Sequence, residues 1–161
     1  TVKLDSPVEI DGVRYSCSYV ELGDPGIPHA VVPYRGLQKA DENELRELGR
    51  KIRWYADFPK GANVNFYEII GEDLVCERTF ERGVEDFTYA CGTGTGSVVT
   101  VLTLQGRVSG KDVRVTMPGG ELRIDAERVH SHIASLYLTG PTNIVCKGEI
   151  TDEDLPPIPG M

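Results

Sequence analysis

In the stretch FTYACGTGTGSVVTVLTLQG, residues 87–106, a single cysteine, Cys91, stands at the mouth of a turn rich in glycine and threonine, and a strongly apolar segment follows. A helix beginning there has first-turn amides that its own backbone leaves without acceptors, and its positive dipole end faces whatever lies over Cys91. Glycines at 92, 94 and 96 let a ligand approach the backbone closely. The pattern predicts a cradle for a carboxylate or phosphate with a thiol beside it, and the same dipole favours the thiolate of Cys91. Such a thiolate attacks a carbonyl, or removes a proton from the carbon next to the carboxylate. On local chemistry both readings stand beside a third, a cysteine packed at a helix start with the glycines serving only the turn.

Upstream, TFERGVEDFTYAC supplies Glu81 and Arg82 at a strand end leading to the cysteine turn. Their charges suit a clamp on a zwitterionic ligand, or a plain surface ion pair. His29, in GIPHAVV, opens an apolar strand, where a lone histidine is more often structural than catalytic. His130 and His132, in ERVHSHIAS, read as alternate positions of a strand, and without a third ligand nearby they do not make a metal site. The remaining cysteines, Cys17, Cys76 and Cys146, lie in the patterns YSCSY, DLVCERTF and NIVCKGEI, where cysteine behaves as a small, half-buried hydrophobe, so all four are expected to be reduced.

Most of the chain that must position these groups reads as strand. VEIDGVRYSCSYVEL carries the turn pair Asp11-Gly12 between β-rich runs, a hairpin signal. HAVVPY, NVNFYEII, LVCERTFE, DVRVTM, GELRIDAE, IASLYLTG and TNIVCKGEI supply the other expected strands, with Pro118-Gly119-Gly120 as a turn. Two helices interrupt them. In ADENELRELGRKIRWYADF, residues Leu45, Leu48, Ile52 and Tyr55 share one face, Asp41 is the N-cap and the opposite face is charged, so this helix lies outside. The helix after Cys91 is apolar around most of its circumference and must be enclosed. The expected fold class is α+β, a barrel-like, mostly antiparallel sheet wrapped around a central apolar helix, with one outer amphipathic helix. Residues 1–150 form the domain; 151–161, TDEDLPPIPGM, form a proline-rich acidic tail.

At 161 residues the chain is long enough to bury a core, and its 25 acidic against 17 basic residues give a formal charge of −8. That balance argues against nucleic acid or an anionic membrane as partner. No apolar window spans a bilayer and no basic-then-apolar leader opens the sequence, so a soluble cytoplasmic protein is expected. The chain starts without methionine inside a strand-like pattern, which suggests a piece of a longer protein.

Taken in order, IPHAVV, ANVNF, ERG, ACGTGTG, VTMPGGELRI, LYLTGP and GEI resemble the C-terminal half of the diaminopimelate epimerases, over residues 24–150. The resemblance implies cofactor-independent epimerisation by two cysteines, one on each face of the α-carbon, in a dry cleft between two similar domains. On this likeness Cys91 is the cysteine of the second domain, and His29 and Glu81 assist the chemistry. Asn63 and Arg82 contact substrate, and the amides of Gly92 and Thr93 hold the α-carboxylate.

The likeness implies no cofactor and no metal. The substrate is a small amino acid, LL- or meso-diaminopimelate. The partner is an N-terminal domain in cis or in trans, or a second copy in a homodimer contributing its own Cys91. Without such a partner the chain alone is expected to be inactive. Ile27 stands where the family commonly has asparagine, and Phe87 where a polar residue is usual, which keeps two alternatives open: a racemase of another amino acid or small acid, and a non-catalytic carboxylate-binding domain.

Overall fold

A computed structural model describes residues 1–149; the tail assigned to 151–161 lies outside the described residues. β1 (Val2–Ile10) and β2 (Val13–Gly23) form the expected hairpin. Asp11 and Gly12 at its tip have φ of 52° and 77°, the doubly positive turn whose twist matches the flanking strands. β3 (Gly26–Pro33) returns beside β2, and α1 (Glu42–Arg53) then crosses to β4 (Asn63–Gly71), which pairs parallel with β3. β5 (Leu74–Glu81) carries the short β6 (Asp86–Thr88) on its end. α2 (Gly92–Leu104) then leads to β7 (Val113–Met117), which is parallel to β5, and β8 (Gly120–Val129) and β9 (His132–Thr139) complete the sheet.

One nine-stranded sheet results, in the order β1-β2-β3-β4-β5-β7-β8-β9 with β6 attached to β5. Each parallel pair is bridged by one helix, because strands running the same way need a crossover connection. The sheet wraps α2, which meets β2, β3, β4, β8 and β9, but it does not close; β1 and β9 remain its edges. Among the described residues no helix is long and apolar enough to cross a membrane.

The two faces of the sheet are covered by different helices. Val98, Val99, Val101 and Leu102 of α2 pack with Val20, Val31, Val75, Val113, Val115 and Ile124. On the other face, Leu45 and Ile52 of α1 pack with Ala30, Val32, Val64, Phe66 and Phe80. Each of these side chains larger than alanine stabilises the fold by about 1.5–3 kcal/mol. Asp41 caps α1 as expected, accepting the amides of Asn43 and Glu44 at 2.9 and 3.0 Å.

Two expectations are overturned. TNIVCKGEI does not form a strand in its described part: residues 140–149 have no regular structure, Ile144 and Val145 are 82% and 90% exposed, and Cys146 is exposed rather than half-buried. Alternation alone makes no strand where no neighbouring edge or core receives it. His130 and His132 are not alternate residues of one strand either; His130, with a φ of 55°, lies in the β8–β9 turn, and His132 opens β9. All four cysteines are free thiols.

Candidate active site

Strand alternation builds the site. On β3 the odd-numbered His29 and Val31 face α2, on β4 Asn63, Asn65 and Tyr67 do, and on β5 Val75, Glu77, Thr79 and Glu81 do, while the residues between them face α1. The three strands are adjacent, so their polar members line up beneath the N-terminus of α2. That coincidence of registers brings groups from residues 29 to 95 together.

Cys91 is the N-cap of α2, extended at φ −139° and ψ 102°, and its side chain makes no capping bond. The first helical hydrogen bond to the Cys91 carbonyl comes from Thr95, at 2.9 Å. The amides of Gly92 and Thr93 therefore precede any helical acceptor, as the carboxylate cradle requires. The Thr93 hydroxyl lies 3.6 Å from the sulfur. Burial raises the Cys91 thiol above its ordinary range; Thr93 and the Gly94 amide oppose this, and Glu81 and Glu77 add to it. Burial therefore works against the helix terminus, which by itself favours the thiolate.

The glycines serve packing as much as ligand approach. A Cβ on Gly94 would stand 2.3 Å from Asn65 Oδ1 and 3.2 Å from the Cys91 sulfur, and one on Gly96 would stand 2.7 Å from Leu136. Gly92 is exposed.

Beneath the turn runs a buried polar network. His29 is wholly buried; its Nε2 lies 3.0 Å from Thr93 Oγ1 and its Nδ1 accepts from Asn65 Nδ2 at 3.0 Å. Burial, with the Arg82 charge, lowers its pKa to about 4, so His29 is neutral near pH 7, with its proton on Nε2 and pointing at Thr93. Asn65 Oδ1 accepts from Thr79 Oγ1 at 3.1 Å, and Thr79 Oγ1 is also 3.3 Å from Glu77 Oε1. Glu77 Oε2 is 2.7 Å from Thr95 Oγ1, which is 3.0 Å from the Cys91 carbonyl.

The other expected residues sit on the rim. The Asn63 side-chain oxygen accepts the Arg82 amide at 2.7 Å, and Arg82 Nη1 donates to the Lys60 carbonyl at 2.9 Å. Glu81 accepts from Thr88 Oγ1 at 2.7 Å instead of pairing with Arg82. The ion pair between Glu81 and Arg82 is therefore not formed. Asn65, Thr79, Glu77 and Thr95 escape sequence reasoning. For Asn65 the signal is a polar residue at an alternate position of an otherwise apolar strand, NVNF; CERTFE and the helical Thr95 carry none.

Phe87 does not bear on a ligand at Cys91. Its ring packs on Phe66 and Phe80, with the Arg46 and Arg78 guanidiniums 5.9 and 4.8 Å from its centroid, all on the α1 side. Ile27 shares its strand face with His29 and is 43% exposed. Among the described residues no group of three or more His, Cys, Asp or Glu is arranged to hold a metal ion.

The family model described as diaminopimelate epimerase matches residues 23–145. The diaminopimelate epimerase of Aquifex aeolicus is 41% identical over 132 residues, 81% of this chain and 45% of that protein. That of Chlorobaculum tepidum is 38% identical over 145 residues, 88% of this chain and 53% of that protein. The chain spans about half the length of the curated relatives it matches. Among solved structures, a hydroxyproline epimerase from Agrobacterium vitis with bound trans-4-hydroxy-L-proline aligns with a TM-score of 0.56 at 19% identity, covering 84% of this chain and 44% of that one. A probable proline racemase from Agrobacterium radiobacter aligns with a TM-score of 0.58 at 17% identity, covering 83% and 45%. At that identity the likeness is one of fold.

Proposed function

The chain belongs to the diaminopimelate epimerase family, and from that premise we propose that it is the Cys91-bearing half of a cofactor-independent epimerase that interconverts LL- and meso-diaminopimelate. The observation that carries this reading is the thiol of Cys91 at the N-terminus of a buried helix whose Gly92 and Thr93 amides have no helical acceptor. The amides hold the α-carboxylate and the thiol stands over the α-carbon. As a base on the opposite face removes the α-proton, negative charge moves onto the carboxylate, where the amides and the helix dipole stabilise it. Cys91 then delivers its proton to carbon, leaving a thiolate here and a protonated base opposite. In the reverse sense the Cys91 thiolate takes the proton, and the two groups exchange states at each turnover.

In the first sense of the reaction Cys91 is the acid, and this half supplies the proton. Neutral His29 donates to Thr93, whose hydroxyl is then free to donate to the sulfur and stabilise the thiolate. Glu81 assists the proton transfer, and Asn63 and Arg82 recognise the polar groups of the substrate. The opposite base comes from an N-terminal domain in cis or in trans, or from a second copy, so the isolated chain does not complete the inversion.

A second reading, racemisation of a less polar amino acid, is favoured by one observation: Ile27 puts apolar surface on the face of β3 that carries His29. An aziridine analogue of diaminopimelate, with its electrophilic carbon at the α-position, tests the first reading by site-resolved mass spectrometry. The expected result is an adduct on Cys91 that excess diaminopimelate suppresses. Labelling of Cys146 with Cys91 untouched would overturn it, and suppression only by a less polar amino acid would favour the second reading.

A further inference from the structure

We propose that Glu77, held as the neutral acid, is a positioning residue for Cys91: it heads a one-way chain of hydrogen bonds through Thr79, Asn65, His29 and Thr93 that ends in a donor on the Cys91 sulfur. This rests on the reading of Cys91 as the proton carrier, but the geometry stands without it. Four close oxygen–oxygen approaches surround Glu77: Thr95 to Glu77, Thr95 to the Cys91 carbonyl, Thr79 to Glu77 and Thr79 to Asn65 Oδ1. The two threonine hydroxyls bring only two protons to them. The Cys91 carbonyl already accepts the Thr95 amide.

With Glu77 ionised, Thr79 either turns to Glu77 and strands Asn65 Oδ1, or turns to Asn65 and strands Glu77 Oε1. A proton on Oε1 resolves this. Glu77 then donates to Thr79, Thr79 to Asn65, Asn65 to His29 Nδ1, His29 Nε2–H to Thr93, and Thr93 to sulfur, each group using one proton in one direction. Aligned donors polarise one another, so the last hydroxyl is the better donor to a thiolate.

Among the described residues no cation offsets the carboxyl. Across from it stands Tyr67 of β4, Glu81 lies farther along β5, the Cys91 N-cap lies toward α2, and β7 presents Val115 and Met117, while His29 of β3 reaches it only through Asn65 and Thr79. Arg107 is engaged by Tyr67, donating to its hydroxyl at 2.8 Å. Burial accordingly raises the Glu77 pKa to about 7. Above that pH the carboxylate draws the Thr79 proton back and adds a negative charge beneath the thiol, so ionised Glu77 makes Cys91 a weaker acid and leaves less of it as thiolate.

Two measurements on the full chain test this without turnover. In the protein labelled with carbon-13 at glutamate carboxyls, the resonance lost in Glu77→Gln should titrate with a midpoint near 7. A midpoint in the ordinary range near ~4.3 would overturn the proposal. Second, the rate of Cys91 alkylation by iodoacetamide against pH, resolved by peptide mass, should show two ionisations in the wild type and one in Glu77→Gln. At a pH of about 8 the variant should react about fivefold faster, the factor that one net hydrogen bond corresponds to. Superimposable profiles from two folded proteins would also overturn it. Neither readout requires Cys91 to carry protons to a substrate, so failure of that reading would leave both results interpretable.

Discussion

Around the Cys91 sulfur, single atoms separate chemistry from position. Thr93 bridges His29 and the thiol through one hydroxyl. Thr93→Val should slow α-proton exchange in the complete enzyme by about tenfold, the loss of one charge-assisted hydrogen bond, while Thr93→Ser should keep most of it. Equal rates for the two variants would count against the bridge. Gly94→Ala should be worse than either. Its Cβ must displace Asn65 Oδ1, 2.3 Å away, so the helix start shifts and the fold loses about 1–3 kcal/mol, measurable by urea unfolding. Cys91 and its glycine turn are legible in the sequence because a thiol at a helix start has a local signature. Glu77 and Asn65 are not. Both faces of β4 and β5 are covered, by α1 and α2, so alternation does not say which polar residue is buried against what.

The two helices divide the labour of the elements. α2 is the wall of the site, and its nearly continuous apolar surface is what marks it in the sequence as enclosed. α1 holds the approach to Cys91 from the other face: Arg46 ties to Asp86 of β6 at 2.7 Å and, with Arg78, lies over Phe87 just before the cysteine turn. Removing the cap of α1 by Asp41→Ala should therefore cost about 1 kcal/mol of stability and leave the Cys91 alkylation profile unchanged. A changed profile would mean that α1 sets the thiol geometry as well as the stability. The helices, the first hairpin and the wrapped sheet are legible from periodicity and turn residues. The expected strand at 142–150 is not found over its described residues, because pairing is a tertiary property that alternation alone does not encode.

At the scale of the molecule, Glu77 and His29 oppose each other in the dependence of stability on pH. The Glu77 pKa rises from 4.5 to about 7 on folding, so its contribution is full below 4.5 and is lost as pH rises through 7. The His29 pKa falls from 6.5 to about 4, so its contribution is full above 6.5 and is lost as pH falls through 4. Each amounts to something on the order of 3 kcal/mol. Over the shared window the two cancel, and only a variant exposes them. Glu77→Gln should lose stability on acidification from pH 6.5 toward 4 more steeply than the wild type by about that amount, as measured by urea unfolding. Parallel curves would mean that one of the two groups does not titrate as its burial requires.

The most direct test of the central claim joins the N-terminal half of the Chlorobaculum tepidum relative ahead of this chain and follows the α-protons of LL-diaminopimelate in deuterated water by NMR. The account predicts deuterium uptake with conversion to the meso form. It also predicts that Cys91→Ser slows both by about 10²–10⁴-fold, the range for removing a general acid–base group. Uptake and inversion at an undiminished rate in the Cys91→Ser protein would contradict it.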